Sequence, residues 1–255
     1  MNVVPNGAEL LPPTMNWRDS DSYLWVMALP RPALAWEFVR RSPSYRSAFH
    51  SNDPSNREWP WPMVRLEDPD LDARDAVPAW CGVDETLPLR TGARAEDAIH
   101  AAIDVERLRC RMTMIEEDAG TTHVLFADGG RQLHLAVEED PTAGPALMTP
   151  ALAPMALTVK RSLALRRLSD LAEHGELREH LYPAESRAPR FARILQALDG
   201  ALAGARHRDI AVSLFGQRRV TQDWTSPDNH LRDHVRRAVA QGRTMMADGF
   251  VRLLG

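Results

Sequence analysis

Apolar residues recur with the period of an α-helix from Pro154 to the end of the chain. With its glycine and proline punctuation, this pattern predicts four successive helices. They cover about 157–172, 191–198, 208–215 and, after the start signal Ser226-Pro227-Asp228, a long stretch to about Ala247. A short helix followed by a long helix with an arginine row is typical of a helix-turn-helix unit.

The first half of the chain predicts a helical module and a β layer. Residues 17–49 have helical spacing, with Asp19 or Ser20 as the first cap and 34–41 as a second helix. Asp128-Gly129-Gly130 separates two alternating stretches, which predicts a β-hairpin. Its strands are 122–126 and 132–137, with 109–115 as a third strand and 143–154 as a loop or a last short strand.

These patterns predict an α+β fold with a small N-terminal helical module, a short antiparallel β layer and a C-terminal helical bundle. The expected segments are a disordered tail (1–14), a helical domain (15–60), an acidic, proline-rich linker (61–100) and the β layer with the C-terminal helices (101–255). The tail lacks the basic start and apolar run of a signal peptide, and no stretch is apolar enough to cross a membrane. Cys81 and Cys110 lack the spacing of metal ligands, so we expect a cytoplasmic protein.

Charge is distributed unevenly along the chain. Residues 1–150 carry 14 basic and 24 acidic side chains, whereas residues 151–255 carry 17 basic and 11 acidic ones. This asymmetry predicts an anionic partner for the second half although the net charge is −4.

The last predicted helix has an apolar stripe beside an arginine-rich one. Leu231, Val235, Ala238, Val239, Gly242, Met245 and Met246 form the apolar stripe. Asn229, Arg232, Arg236 and Arg243 share the adjacent face, where arginine suits phosphate oxygens and guanine edges and asparagine suits adenine. Arg237 lies off this face beside Asp233 and is expected to contact a phosphate or form an internal salt bridge. The alternative to DNA contact is that this polar side of the helix is an ordinary solvated face.

The helix that precedes it contains Arg208 and ends at Gly216. Its Ile210-Ala211 pair would let it pack closely on a recognition helix. About ten residues separate Gly216 from the next helix start, so either 217–220 forms an extra turn or the motif has an inserted loop. Arg218 and Arg219 lie here and are candidate phosphate contacts, with a solvated loop as the alternative.

Both ends of the chain resemble known proteobacterial families. The C-terminal residues that carry the resemblance are Arg208-Asp209-Ile210-Ala211, Leu214-Phe215-Gly216, Asp223-Trp224, Leu231-Arg232, Val235-Arg236-Arg237, Gly249-Phe250 and Arg252-Leu253-Leu254. They resemble a domain formerly of unknown function, now associated with a variant helix-turn-helix in regulators of conjugative elements. That family has tyrosine where this chain has Phe250.

The N-terminal blocks Trp17-Arg18-Asp19 and Ala35-Trp36-Glu37-Phe38-Val39-Arg40-Arg41-Ser42-Pro43-Ser44-Tyr45-Arg46 resemble a small "transcriptional regulator-like" domain. That family has leucine at Val39, asparagine at Ser42 and an acidic residue at Ser44. The pair of resemblances implies a regulator, an activator or an antiactivator, of genes for excision or transfer of an integrative and conjugative element, with oligomers among the members.

In the N-terminal module, Trp36, Arg40 and Tyr45 are expected to offer surface to a partner. RNA polymerase, a related regulator or a second copy of the chain are the candidates. The alternative is that the module folds onto the β region.

Other chemistry has weaker support in the sequence. His230 and His234 have the i, i+4 spacing of metal ligands but lack the glutamate of the metalloprotease motif. His123 and His134 are expected to face each other across the hairpin without a further ligand. No phosphate-binding glycine loop or nucleophile motif is present. We therefore expect double-stranded DNA as the partner, with no metal, cofactor, membrane contact or enzymatic activity. The rival interpretation is an antiactivator that binds a related regulator instead of DNA.

Overall fold

The computed structural model describes residues 15–51, 59–82, 86–117, 120–140, 149–150, 157–224 and 230–255. Its α-helices are α1 (Arg31–Val39), α2 (Pro43–Ser51), α3 (Ala95–Ala102), α4 (Thr158–His174), α5 (Ala188–Leu202), α6 (His207–Phe215), α7 (Gln217–Asp223) and α8 (His230–Ala247). Its strands are β1 (Leu87–Thr91), β2 (Arg111–Glu116), β3 (Thr121–Asp128), β4 (Arg131–Glu139) and β5 (Thr149–Pro150). Short 3₁₀ helices include Ser20–Ala28 and Gly249–Leu253. The fold is α+β, as predicted.

The chain forms two compact units. One, the helical unit, joins the N-terminal segment through residue 57 with residues 68–72 and 184–254. The other, the sheet unit, contains residues 58–67 and 73–183. These units are discontinuous in sequence and differ from the predicted bounds of 15–60, 61–100 and 101–255. The predicted tail, 1–14, lies outside the described residues.

The sheet unit has strands in the order β2-β3-β4-β1-β5. The predicted hairpin is confirmed as β3 and β4, in which Asp128 pairs with Arg131 across Gly129 and Gly130. Both glycines have positive φ, 55° and 88°, because the two-residue turn that matches strand twist needs this backbone conformation. The predicted third strand is confirmed as β2. The short strand β5, residues 149–150, falls within the predicted stretch 143–154. The other residues of that stretch lie outside the described residues.

The expected linker contains regular structure. β1 lies inside the sheet between β4 and β5, parallel to β4, and α3 follows it. Sequence pattern misses β1 because it is only five residues long and contains Pro88, although Leu87, Leu89 and Thr91 are buried. The acidic residues are also ordered, since Asp72 is buried and Asp70 pairs with Arg46 at 2.6 Å.

The N-terminal helices of the helical unit share a core with α5. The Phe38 ring meets the Phe191 ring edge-on, with centroids 5.9 Å apart. The Gln196 side-chain amide donates a hydrogen bond to the Trp17 carbonyl at 3.1 Å. The N-terminal module thus packs against the C-terminal helices.

A buried charge network also joins α1 to α5. Arg41 donates to both Asp199 carboxylate oxygens, at 2.6 and 3.0 Å, and to Glu37 Oε2 at 2.7 Å. Tyr23 Oη donates to Asp199 at 2.6 Å, and Arg40 Nε donates to Glu37 at 2.9 Å. Burial alone would raise the pKa of Glu37, but the guanidinium groups of Arg40 and Arg41 outweigh it, so this pKa lies below its usual range. Glu37 and Arg41 are therefore both charged in the core.

The prediction of a partner surface on the N-terminal module is wrong, because the side chains expected to form it, Trp36, Arg40 and Tyr45, have no exposed area. The Trp36 indole donates to the Leu71 carbonyl at 3.0 Å, and its ring meets Tyr45 edge-on at 5.5 Å. A module this short uses its aromatic side chains to build its core, which leaves none of these three for a partner.

Candidate nucleic-acid interface

Helices α5, α6, α7 and α8 surround one apolar cluster. α6 contributes a short apolar pair, α7 one valine and α8 a row of aliphatic side chains. Its buried members are Trp17, Ala197, Ile210, Ala211, Val220, Leu231, Val235 and Val239. Because all four helices share this cluster, the position of α8 depends on the packing of the other three.

Gly216 is the whole connection between α6 and α7. α6 ends at Phe215 and α7 begins at Gln217, with Gly216 at φ 85° and ψ 149°. Only glycine adopts this region readily. The extra turn considered for 217–220 is therefore a complete helix, so Arg218 and Arg219 lie on a helix and the loop alternative is wrong for them. The following connection, 225–229, includes Asn229 and lies outside the described residues.

The apolar stripe predicted for α8 faces the core. Leu231, Val235, Val239, Gly242 and Met245 are buried. At Gly242 the approach to α5 is close, because a Cβ there would lie 2.9 Å from the Leu198 Cβ atom. The glycine lets α8 rest directly on α5 and fixes which face of α8 is exposed.

Three arginines form one exposed line along α8, which we call the arginine stripe. Arg232, Arg236 and Arg243 are all exposed. At 100° and 1.5 Å per residue they fall within about 40° of arc and extend over about 16 Å. The structure therefore brings these three predicted residues together on one face.

Two neighbours position guanidinium groups of the stripe. The Arg232 guanidinium carbon lies 5.5 Å from the centroid of the Trp224 ring, a cation–π distance. Arg236 forms an ion pair with Asp233, with 3.1 Å between Nη2 and Oδ1. Arg243 forms no ion pair with any other described residue. The stripe thus has one guanidinium held by an aromatic ring, one held by a carboxylate and one directed to solvent.

The remaining predicted contacts lie on α6 and α7. Arg208 is exposed in the first turn of α6, and Arg218 is exposed on α7. Arg219 is 3.7 Å from the Asp223 carboxylate, and its guanidinium lies 5.6 Å from the Phe215 ring centroid. These arginines are exposed cations on the two helices that precede α8.

Arg237 does not join the stripe. It lies at least about 100° around α8 from the stripe, and its Nε donates to the Asp233 carbonyl at 3.2 Å. The sequence placed Arg237 beside Asp233, but the Asp233 carboxylate pairs with Arg236. Arg237 instead lines a groove with Arg190 and Arg193 of α5.

Three residues of the site were not predicted as functional candidates from the sequence: Trp224, Arg190 and Arg193. Trp224 was named only as part of the family resemblance. It lies outside the predicted helix that contains Arg232, so helical periodicity cannot show that the two residues are close. Arg190 and Arg193 are spaced for one face of α5, which is a usable signal, but only the fold places them beside α8.

The histidine pairs have different surroundings. His123 Nδ1 and His134 Nε2 are 2.8 Å apart, so the expected contact across the hairpin is confirmed. Burial, and then the nearby His123, lower the pKa of His134 to about 3. His230 and His234 are exposed on α8. Across the described ranges, no group of three His, Cys, Asp or Glu side chains could hold a metal ion. No helix in that part of the chain is long and apolar enough to span a membrane.

Comparison with known families agrees with both resemblances. Residues 148–255 match a family model described as "T6SS, Transcription factor, DNA binding domain". Residues 16–72 match one described as "Proteobacterial transcriptional regulator-like domain". A search of curated proteins gives no match. The two matched domains support a DNA-binding regulator of transcription, and the first includes the whole of α5 to α8.

Proposed function

We propose that α6, α7 and α8 act as a variant helix-turn-helix that presents the arginine stripe to the major groove of double-stranded DNA. The observation that carries this proposal is the alignment of Arg232, Arg236 and Arg243 on the exposed face of α8 within the matched DNA-binding domain. An α-helix fits the major groove, where the arginine fork recognises guanine edges. Asn229 remains a proposed adenine contact.

Sequence-independent affinity comes from arginines on the neighbouring helices. Arg208, Arg218 and Arg219 are exposed there and suit phosphate oxygens. Arg237 was a candidate for the same role. It lies at least about 100° around α8 from the stripe, so it is a poor phosphate contact when the stripe is in the major groove of DNA. Affinity for duplex DNA should therefore decrease steeply with salt concentration.

We also propose that two copies bind together. The stripe extends over only about 16 Å of helix, about half of one turn of DNA. A contact this short gives weak binding by itself, and pairing across two half-sites would raise both affinity and selectivity.

The regulated genes are proposed from the resemblance. It favours an activator of genes for excision or transfer of an integrative and conjugative element, in contact with RNA polymerase or a related regulator. The family of the matched domain is described as a T6SS transcription factor, so genes of such a system are a second setting to assay.

A second candidate function is an antiactivator that binds a related regulator rather than DNA. The balance of 14 basic to 24 acidic side chains in residues 1–150 favours it, because an acidic surface repels DNA.

Selection of bound duplexes from a randomised DNA pool separates the two functions. The DNA-binding proposal predicts an enriched sequence, ordered as two half-sites, and loss of enrichment in the variant Arg232→Gln/Arg236→Gln. A reporter fused to the enriched site then gives the sign of regulation. No enrichment with the folded wild-type chain, together with binding to a co-expressed related regulator, would favour the antiactivator.

A further inference from the structure

A groove opens within the helical unit on the flank of α8 that carries Arg237. Helices α5, α6 and α8 form its walls, and its volume is about 510 Å³. This volume lies in the range of pockets that hold small molecules, roughly 300–1,000 Å³. The groove therefore has space for a ligand the size of a metabolite.

Its rim is cationic. Arg190 and Arg193 from α5 and Arg237 from α8 line it, and none of the described residues that line it carries a carboxylate. Arg190 donates to the Gln241 side chain at 2.8 Å, and Arg237 donates to the Asp233 backbone carbonyl at 3.2 Å. None of the three arginines forms an ion pair with another described residue. Three guanidinium groups without an ion pair among the described residues therefore line one cleft, which favours an anion.

Its floor is apolar. Ile194 is almost fully buried there, and Leu214, Phe215 and Ala238 are half-buried beside it. The edge of the Phe215 ring faces the His234 ring, with centroids 6.2 Å apart. A phosphate backbone alone would leave this floor without a partner, so the ligand needs an apolar body as well as a charge.

The groove and the arginine stripe lie on different flanks of α8. The arc between Arg237 and the stripe residues is at least about 100°. A molecule in the groove would therefore occupy the back of α8 while the stripe remains open. This placement separates the groove from the arginine stripe, although Arg219, a proposed phosphate contact, lies 5.6 Å from the centroid of the Phe215 ring that lines the groove.

We propose that this groove binds a small amphiphilic anion, a molecule with a carboxylate, sulfonate or phosphate on an apolar ring or chain. The anionic group contacts Arg190, Arg193 and Arg237, and the apolar body covers Leu214 and Phe215. The proposal does not depend on DNA binding, because the ligand site can be assayed without DNA.

Fluorescence titration of the full chain with anilinonaphthalene sulfonate tests it. N-phenylnaphthylamine is the matched probe, since it has the same aromatic body without the sulfonate. We expect the anionic probe to bind at least about tenfold more tightly than the neutral one, the scale of a charge-assisted hydrogen bond. The double variant Arg193→Gln/Arg237→Gln should remove that preference, whereas the control Arg243→Gln, on the other flank of α8, should keep it.

Four results would overturn the proposal. Equal affinity for the two probes would remove the anion requirement, and unchanged binding in the folded double variant would place the probe elsewhere. Loss of DNA affinity in the double variant as large as in a stripe variant would assign the groove to DNA. Conversion of a dimer to a monomer by the same substitutions would assign it to a second copy. Circular dichroism confirms that each variant is folded before these results are used.

Discussion

At the residue scale, Asp233 controls the charge that α8 presents. Its carboxylate lies beside Arg236, and it also occupies the first turn of the helix, where a negative side chain is favourable. The same carboxylate would lie close to DNA phosphates if the arginine stripe enters the major groove of DNA. Asp233 therefore stabilises the helix while it weakens the proposed contact.

We predict that Asp233→Asn binds duplex DNA more tightly. The substitution frees Arg236 and removes a repulsive charge, while helix stability decreases by about 0.3–1 kcal/mol. Fluorescence anisotropy measures the change, and Glu173→Gln, an exposed acid on α4, serves as the control. Weaker DNA binding in a folded Asp233→Asn protein would contradict this prediction and show that the ion pair aids the contact by positioning Arg236.

Single residues also show the limits of sequence analysis. The stripe could be predicted, because the period of a helix fixes which residues share a face. The partner of Asp233 could not, since i+3 and i+4 positions are both within reach on a helix surface. The role given to Trp36, Arg40 and Tyr45 failed because burial depends on which segments pack together, and no local pattern contains that information.

At the element scale, the α6–α7 connection distinguishes this motif from an ordinary helix-turn-helix. One glycine joins the two helices, and α7 takes up seven of the fourteen residues between α6 and α8. The orientation of α7 therefore depends on the backbone conformation of Gly216.

We predict that Gly216→Ala destabilises the helical unit by about 1–3 kcal/mol, the cost of a side chain in a backbone region reserved for glycine. Space is not the reason, because a Cβ at this position meets no atom within 4 Å. Urea unfolding measures the change, and Gly204→Ala, at another open position with positive φ, should show a loss of the same kind. An unchanged midpoint for Gly216→Ala would mean that the turn relaxes freely.

Elements set by local chemistry were predictable and those set by distant partners were not. The β3–β4 hairpin could be predicted, because Gly129 and Gly130 favour a tight turn without help from distant residues. β1 is five residues long and owes its place to pairing with β4 and β5. Such pairing is non-local, so the stretch that contains it looked like a linker.

At the scale of the whole molecule, the N-terminal module and the C-terminal helices share one compact unit. The Arg41–Asp199 pair is fully buried and joins residues 158 positions apart. Periodicity finds both helices but cannot show that they meet.

We predict that Arg41→Met destabilises the helical unit by about 3–5 kcal/mol, because it leaves the buried Asp199 carboxylate without its cation. The double variant Arg41→Met/Asp199→Asn should recover part of this loss, since no uncompensated charge remains. Arg90→Met removes a surface pair with Glu138 and should cost at most about 1 kcal/mol. Thermal unfolding compares the three proteins. Equal losses for the buried and the surface arginine would contradict the network's role in joining the two segments.

The proposed function depends most on the arginine stripe as the DNA contact. The most direct test measures the Kd for a selected duplex over a range of salt concentrations, for the wild type and for Arg232→Gln/Arg236→Gln/Arg243→Gln. Arg193→Gln, on α5, is the matched control. We predict that the triple variant binds at least about tenfold more weakly, on the scale of a lost arginine–guanine contact, and that its salt dependence is shallower. Unchanged affinity and salt dependence in a folded triple variant would contradict the account.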